Sequence, residues 1–167
     1  MRIPFRRQSD SAAPRPDSPA GEYRERPVRL RDSGCEPYWH LLYLAEAECY
    51  RAERYGRPLA LLVVEPWPAS DDPEANRAVE AWLRERLRKA DIPGYLGSAR
   101  YAVLLPETGA NGASRLSVRL RKEVPRIRTG FSSFPQDGLT LGDLVVAARR
   151  DLRASEEDAT PKRRALN

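Results

Sequence analysis

No apolar run in this chain approaches the roughly 20 residues that a membrane span requires, so a transmembrane helix is not expected. Cysteine is nearly missing. Its two copies among 167 residues, Cys35 and Cys49, fit no metal-binding spacing and read as reduced thiols, Cys49 on the core side of a helix. The single histidine, His40, stands next to Trp39 at a helix start and reads as a partly exposed polar residue rather than a catalytic base. Aromatic residues make up 8% and follow no RNA-binding pattern, and zinc-finger spacing is absent. The N-terminal arginines are not followed by an apolar stretch, so no secretory leader is expected and the reading is cytoplasmic. What the chain does have is charge. Lys and Arg total 29 against 24 Asp and Glu, a net of +5. The two signs are interleaved, which describes a solvated mixed surface better than a duplex-binding face, so nucleic acid is not the expected partner. The basic excess does suit a small phosphorylated ligand.

Residues 1–33 carry Pro4, Pro14, Pro16, Pro19 and Pro27 among Arg, Ser, Asp and Gly, and read as a disordered tail. Residues 156–167 read as a second polar tail, leaving 34–155 as the folded domain. Within it, "PYWHLLYLAEAECYRAERYG" places Leu42, Ala45, Cys49 and Ala52 at helical spacing, and Gly56 stands at the C-cap position. "PLALLVVE" is continuously apolar, as expected of a strand buried on both faces. A loop over 66–73 leads to "EANRAVEAWLRERLRKAD", a helix with Ala75, Ala78, Val79, Trp82, Leu83 and Leu87 inward. Pro93-Gly94 breaks that pattern, and Gly97-Ser98-Ala99 supplies the turn of a hairpin that continues through Tyr101–Leu105. A helix through Leu116, Leu120 and Val124 follows, then the strand "RIRTGFSSF", the turn "PQDG", and a last helix opened by a Thr or Asp cap. The β-α-β-β-α-β order inside this series is the ferredoxin-like plan: α+β, a mainly antiparallel sheet, two helices on one face.

Several segments, in order, carry a resemblance. "RAERYGRPLALLVVE", "YAVLLPETGANGA" and "RTGFSSFPQDGLTLGDLVVAA" resemble the GGDEF domain of diguanylate cyclases, which join two GTP into cyclic di-GMP. The resemblance spans about Leu30 to Ser155 and implies the nucleotide-cyclase palm. At the family's signature turn this chain has Gly97-Ser98-Ala99-Arg100-Tyr101. Ser98 replaces a glycine that lets backbone approach the guanine, Ala99 replaces a metal carboxylate, and Arg100 reverses an acidic charge. The family's Asp-x-Asp at the end of the first strand is Glu65-Pro66-Trp67 here, so only Glu65 keeps a carboxylate. The segment bearing substrate-binding Asn and Asp is largely missing from the short 66–73 loop. Ala147-Ala148 and Ala154-Ser155 stand where the family has Ala-Asp and Ala-Lys. The resemblance therefore implies a degenerate domain with no catalytic residue, no metal and no cofactor.

One family site keeps its residue types. Many members carry Arg-x-x-Asp six residues before the first signature glycine, an inhibitory site that binds cyclic di-GMP. Arg88 and Asp91 hold that register here, and ungapped counting places the family's further arginine at Arg119. Arginine donates bidentately to guanine O6 and N7, while a carboxylate accepts from the N1 and N2 protons. Arg88 and Asp91 also satisfy a plainer reading, a helix-end ion pair, and Arg119 that of a solvated residue. Tyr95 stands where many members have another arginine; it would stack on a base or pack on the strand. Trp67 and Trp82 read as packing residues around the short loop. The expected function is an inactive GGDEF-like receptor for cyclic di-GMP that signals to a protein partner. The alternative is a ligand-free protein–protein interaction module. A dimer is compatible with either.

Overall fold

The computed structural model of the protein describes residues 33–67 and 73–159, with side chains as far as residue 154. The expected tail before Ser33, the middle of the 66–73 loop and the end of the chain lie outside the described residues. Chain order is β1 (Glu36–Pro37), α1 (Tyr38–Tyr55), β2 (Leu59–Pro66), α2 (Pro73–Arg86), β3 (Ile92–Gly97), β4 (Arg100–Pro106), α3 (Ala110–Glu123), β5 (Ile127–Phe134) and α4 (Leu141–Ala159).

The start of β2 follows from local chemistry. Gly56 ends α1 in a left-handed conformation, φ 61°, which costs a glycine little. The Leu59–Pro66 run then enters the sheet between two partners, and Leu59 to Val64 are all buried. It pairs antiparallel with β4 from Leu59↔Pro106 to Val64↔Tyr101, and with β5 from Leu59↔Phe134 to Pro66↔Ile127. β3 pairs antiparallel with the far side of β4. The sheet order is β1-β3-β4-β2-β5, so β2 to β5 alone give the ferredoxin-like arrangement that the element order implies. β1, which the sequence does not announce, adds a short parallel edge through Glu36↔Gly94.

Alternation along β2 divides the core in two. Leu59, Leu61 and Val63 meet α1 and α4, through Leu41, Ala45, Leu144, Ala148 and Leu152. Ala60, Leu62 and Val64 meet α2 and α3, through Val79, Leu83, Ala113 and Leu120. Two helices on one face is thus right for α2 and α3, and α1 and α4 cover the opposite face. Each fully buried leucine in these layers contributes about 1.5–3 kcal/mol.

Two stripe assignments need correction. In α1 the buried residue is Leu41 at 0% exposure, whereas the expected Leu42 is 44% exposed. Both are apolar, and the core phase set by Ala45, Cys49 and Ala52 selects the residue four positions before Ala45. In α2, Ala78 is exposed, because the stripe through Val79, Trp82 and Leu83 has rotated past it. α4 opens on the expected cap. The Thr140 hydroxyl accepts the Asp143 N–H at 3.2 Å, and the Asp143 carboxylate accepts the Thr140 N–H at 3.1 Å. The Thr140 hydroxyl also donates to that carboxylate at 2.8 Å, and this bond, followed by the one from the Thr140 N–H, holds the Asp143 carboxyl below the usual carboxylate range. Cys35 and Cys49 are separate buried thiols. Burial pushes the Cys35 thiol up to about 11, so it stays protonated at neutral pH.

Candidate ligand site and the altered hairpin turn

The Arg88–Asp91 segment lies beyond the helix that the sequence pattern extends through it. α2 ends at Arg86, and Arg88 to Asp91 close a turn leading into β3. The Asp91 N–H donates to the Arg88 carbonyl at 3.1 Å. The Asp91 carboxylate in turn accepts the Arg88 backbone N–H at 2.9 Å. Asp91 therefore pairs with the backbone of Arg88 and not with its side chain. The expected helix-end ion pair is not formed, and the exposed Arg88 guanidinium makes no hydrogen bond or ion pair with the described residues.

Arg119 reaches this end of α2 from α3. Its Nη2 donates to the Arg86 carbonyl at 3.1 Å, and its guanidinium lies 5.2 Å over the Trp82 ring. Trp82 is itself fixed, since its indole N–H donates to Glu123 at 2.9 Å and Glu123 also faces Arg86 at 3.4 Å. Trp82 is thus a packing residue, as expected, and also the platform that orients Arg119. A guanidinium has five N–H donors and a carboxylate several acceptor positions, so Arg119 and Asp91 each keep capacity after these internal bonds.

The hairpin turn is built without its usual glycine. Gly97↔Arg100 is the last β3–β4 pair, and the two residues between them, Ser98 and Ala99, have φ of 50° and 58°. Positive φ at both central residues is the demand of a two-residue hairpin whose twist matches its strands, and non-glycine residues meet it at a steric cost. Local bonds offset that cost. The Ala99 N–H donates to the Tyr95 hydroxyl at 3.1 Å, and Arg100 Nε donates to the Gly97 carbonyl at 3.2 Å. Tyr95 packs edge-on to Tyr101, 5.4 Å between rings. Tyr101 is buried and donates to Glu80 at 2.9 Å; burial, reinforced by Glu80, holds its phenol far above the ordinary tyrosine range. Ala99 is 4% exposed, and its methyl side chain offers no ligating atom.

Sequence reasoning missed what surrounds Glu65. The β2–β5 register sets Glu65 opposite Arg128, and their side chains meet at 3.6 Å. Arg149 of α4 donates to the other Glu65 oxygen at 3.2 Å. Trp67, 50% exposed, lies against the Arg128 guanidinium at 3.8 Å. Arg128 is held below its usual pKa by burial, which outweighs the opposing pull of Glu65; the nearby Arg153 adds to the lowering. The signal for this cluster was the strand register: strands of equal length, antiparallel, with an acid near the end of one and an arginine near the start of the other.

A divalent cation needs several converging oxygen ligands. Ala99, Arg100 and a Glu65 already held by two arginines do not form that set, so these residues do not fit a catalytic metal. Among the described residues no three His, Cys, Asp or Glu side chains converge on one point. No described helix is long and apolar enough to cross a membrane.

No protein-family model matches the sequence, and no curated protein matches it. Solved structures do. A sensory box/GGDEF family protein from Caulobacter crescentus superposes with a TM-score of 0.62 at 22% identity, over 73% of this chain and 93% of that one. The active GGEEF domain of a diguanylate cyclase from Vibrio cholerae gives 0.66 at 16% identity, over 75% and 92%. The GGDEF domain of DgcB from Caulobacter crescentus, solved in complex with c-di-GMP, gives 0.65 at 15%, over 75% and 85%. The fold is that of the GGDEF domains, the nucleotide-cyclase palm.

Proposed function

We propose that this chain is a catalytically inactive GGDEF-like domain that acts as a cyclic di-GMP receptor, with Arg88, Asp91 and Arg119 as its ligand-binding residues. One observation carries the reading. Arg119 is braced on Trp82 and reaches the end of α2 just before the Arg88–Asp91 turn, where none of the described residues engages the Arg88 fork and the carboxylate is already oriented. A guanine at this turn meets Arg88 as a bidentate donor and Asp91 as an acceptor. Arg119 then faces the phosphates. The turn needs no folding step to present these groups, which limits the ordering cost of binding.

Catalytic silence rests on a different part of the molecule. The Glu65 carboxylate is neutralised by Arg128 and Arg149, and the turn that would supply a second carboxylate carries Ala99 and Arg100. The two regions are also apart. Asp91 leads into Ile92, which pairs with Leu104, and Leu104 pairs with Leu61, four residues back along β2 from Glu65. At about 3.3 Å per residue that is some 13 Å along the strand alone.

Calorimetric titration with cyclic di-GMP tests the receptor reading. The protein is expected to bind, and Arg88→Ala is expected to lose one or two charge-assisted hydrogen bonds, lowering affinity tenfold or more. Incubated with GTP and magnesium or manganese, it is expected to give no cyclic di-GMP. Turnover above a buffer blank that disappears on changing Glu65 would overturn the inactive reading. Absence of heat with cyclic di-GMP would leave the interaction-module alternative.

A further inference from the structure

We infer that the outer face of α1 is a self-association surface, on which a second copy of this chain docks antiparallel about a two-fold axis between Glu46 and Ala47. This inference is independent of the ligand reading. The core side of α1 is Leu41, Ala45, Cys49 and Ala52. Opposite it run Trp39, Tyr43, Glu46 and Tyr50, spaced i, i+4, i+7 and i+11, a stripe that stays on one side of a helix. Trp39 and Tyr43 are each 68% exposed, Tyr50 is 60% and the adjoining Leu42 is 44%. Single exposed apolar residues are ordinary, but three large aromatics along one side of a helix, flanking a single Glu46, mark a contact surface.

The distribution along the stripe selects the occupant. Its two ends are different and mutually complementary. Trp39 stands near the start of α1, and Arg54, which already bonds the Tyr50 hydroxyl and lies over the Tyr55 ring, stands at the end. Antiparallel pairing about the stated axis sets Trp39 opposite the second copy's Arg54, a cation–π pair formed twice. It sets Tyr43 opposite Tyr50, also twice. Ala47 faces Glu46, where a methyl group lets the helices approach. The same operator brings His40 towards the second copy's Glu53. A parallel pair would instead stack Glu46 on Glu46, Glu53 on Glu53 and Arg54 on Arg54. Only the antiparallel arrangement is self-complementary, the condition a two-fold interface has to meet. The two Glu46 carboxylates near the axis are its one unfavourable element, and a single helix pair about 27 Å long makes a small interface, so the association is weak.

Sedimentation velocity on the full chain, from about 1 µM to several hundred µM, reads it out directly. The expected result is a reversible rise from the monomer mass towards twice that value. Tyr43→Ala and Tyr50→Ala, both at exposed positions, should each raise the dissociation constant at least tenfold. Glu46→Ala should lower it several-fold, the opposite sign. Under mild oxidation Glu46→Cys should cross-link with itself, and Trp39→Cys should cross-link with Arg54→Cys and not with itself. A monomer at every concentration overturns the proposal, whether another segment covers the face or it stays bare. A dimer indifferent to Tyr43→Ala and Tyr50→Ala overturns it equally, and so does self-cross-linking of Trp39→Cys, which reports a parallel pair.

Discussion

Gly130→Ala is expected to destabilise the domain by about 3 kcal/mol, at the upper end for a single added methyl group. Gly130 lies in β5 under α4, and a Cβ built there falls 2.1 Å from the Ala148 carbonyl oxygen, 2.5 Å from the Leu152 nitrogen and 2.7 Å from the Leu152 Cβ. The first two atoms are the acceptor and donor positions of one helical turn. A methyl group wedges into that turn, and no flexible side chain is there to move aside. Either α4 lifts from the sheet or β5 bends. Lifting α4 also withdraws Arg149, the residue after Ala148, from Glu65. Urea denaturation followed by circular dichroism measures the loss; a variant within 0.5 kcal/mol of the parent would mean that the strand and helix are not so closely packed.

Glu65→Ala is expected to cost about 2 kcal/mol, and for a different reason. The Glu65 side chain is 12% exposed and Arg128 19%, so removing the acid takes an acidic neighbour away from a shielded guanidinium. Arg149 is 37% exposed and can turn to water, so Arg149→Ala is expected to cost less. The double variant should be more stable than the sum of the two losses, by about 1 kcal/mol, because the acid and the arginine share one interaction. Strict additivity would mean that the contact carries no energy. Neither change is expected to alter cyclic di-GMP binding, since the cluster lies at the other end of β2 from the Arg88–Asp91 turn.

Much of this fold was legible because its punctuation is local. Gly56, the Gly97-Ser98-Ala99 turn and the Thr140–Asp143 cap each act within a few residues and delimit the elements correctly, whereas Pro93-Gly94, read as a helix breaker, lies inside β3. β2 was legible because only a strand flanked on both sides tolerates six buried apolar residues in succession. Where the reading went astray, two neighbouring residues offered the same chemistry. Leu41 and Leu42 are equally apolar, and only the rotation of α1 against β3 separates them. The end of α2 was hidden because Leu87 prolongs the apolar stripe, whereas the Asp91 carboxylate stops the helix by taking the Arg88 N–H.

The Glu65 cluster was hidden for another reason. Its members come from β2, β5 and α4, and in a chain so rich in arginine nothing marks Arg128 and Arg149 until the register brings them to one carboxylate. For the candidate ligand site, counting along the chain singled out three residues. It did not foresee that Asp91 would pair with backbone, or that Arg119 would rest on Trp82.

Titration of cyclic di-GMP into Asp91→Ala, with Asp91→Asn as a control that keeps an acceptor for the Arg88 N–H, tests the receptor reading most directly. Removing the carboxylate makes the surface more positive. A nonspecific basic patch would then bind the phosphates more tightly, while a guanine-reading site loses the acceptor for the N1 and N2 protons. The account predicts weaker binding in both variants, tenfold or more in Asp91→Ala. Tighter or unchanged binding in Asp91→Ala would contradict it.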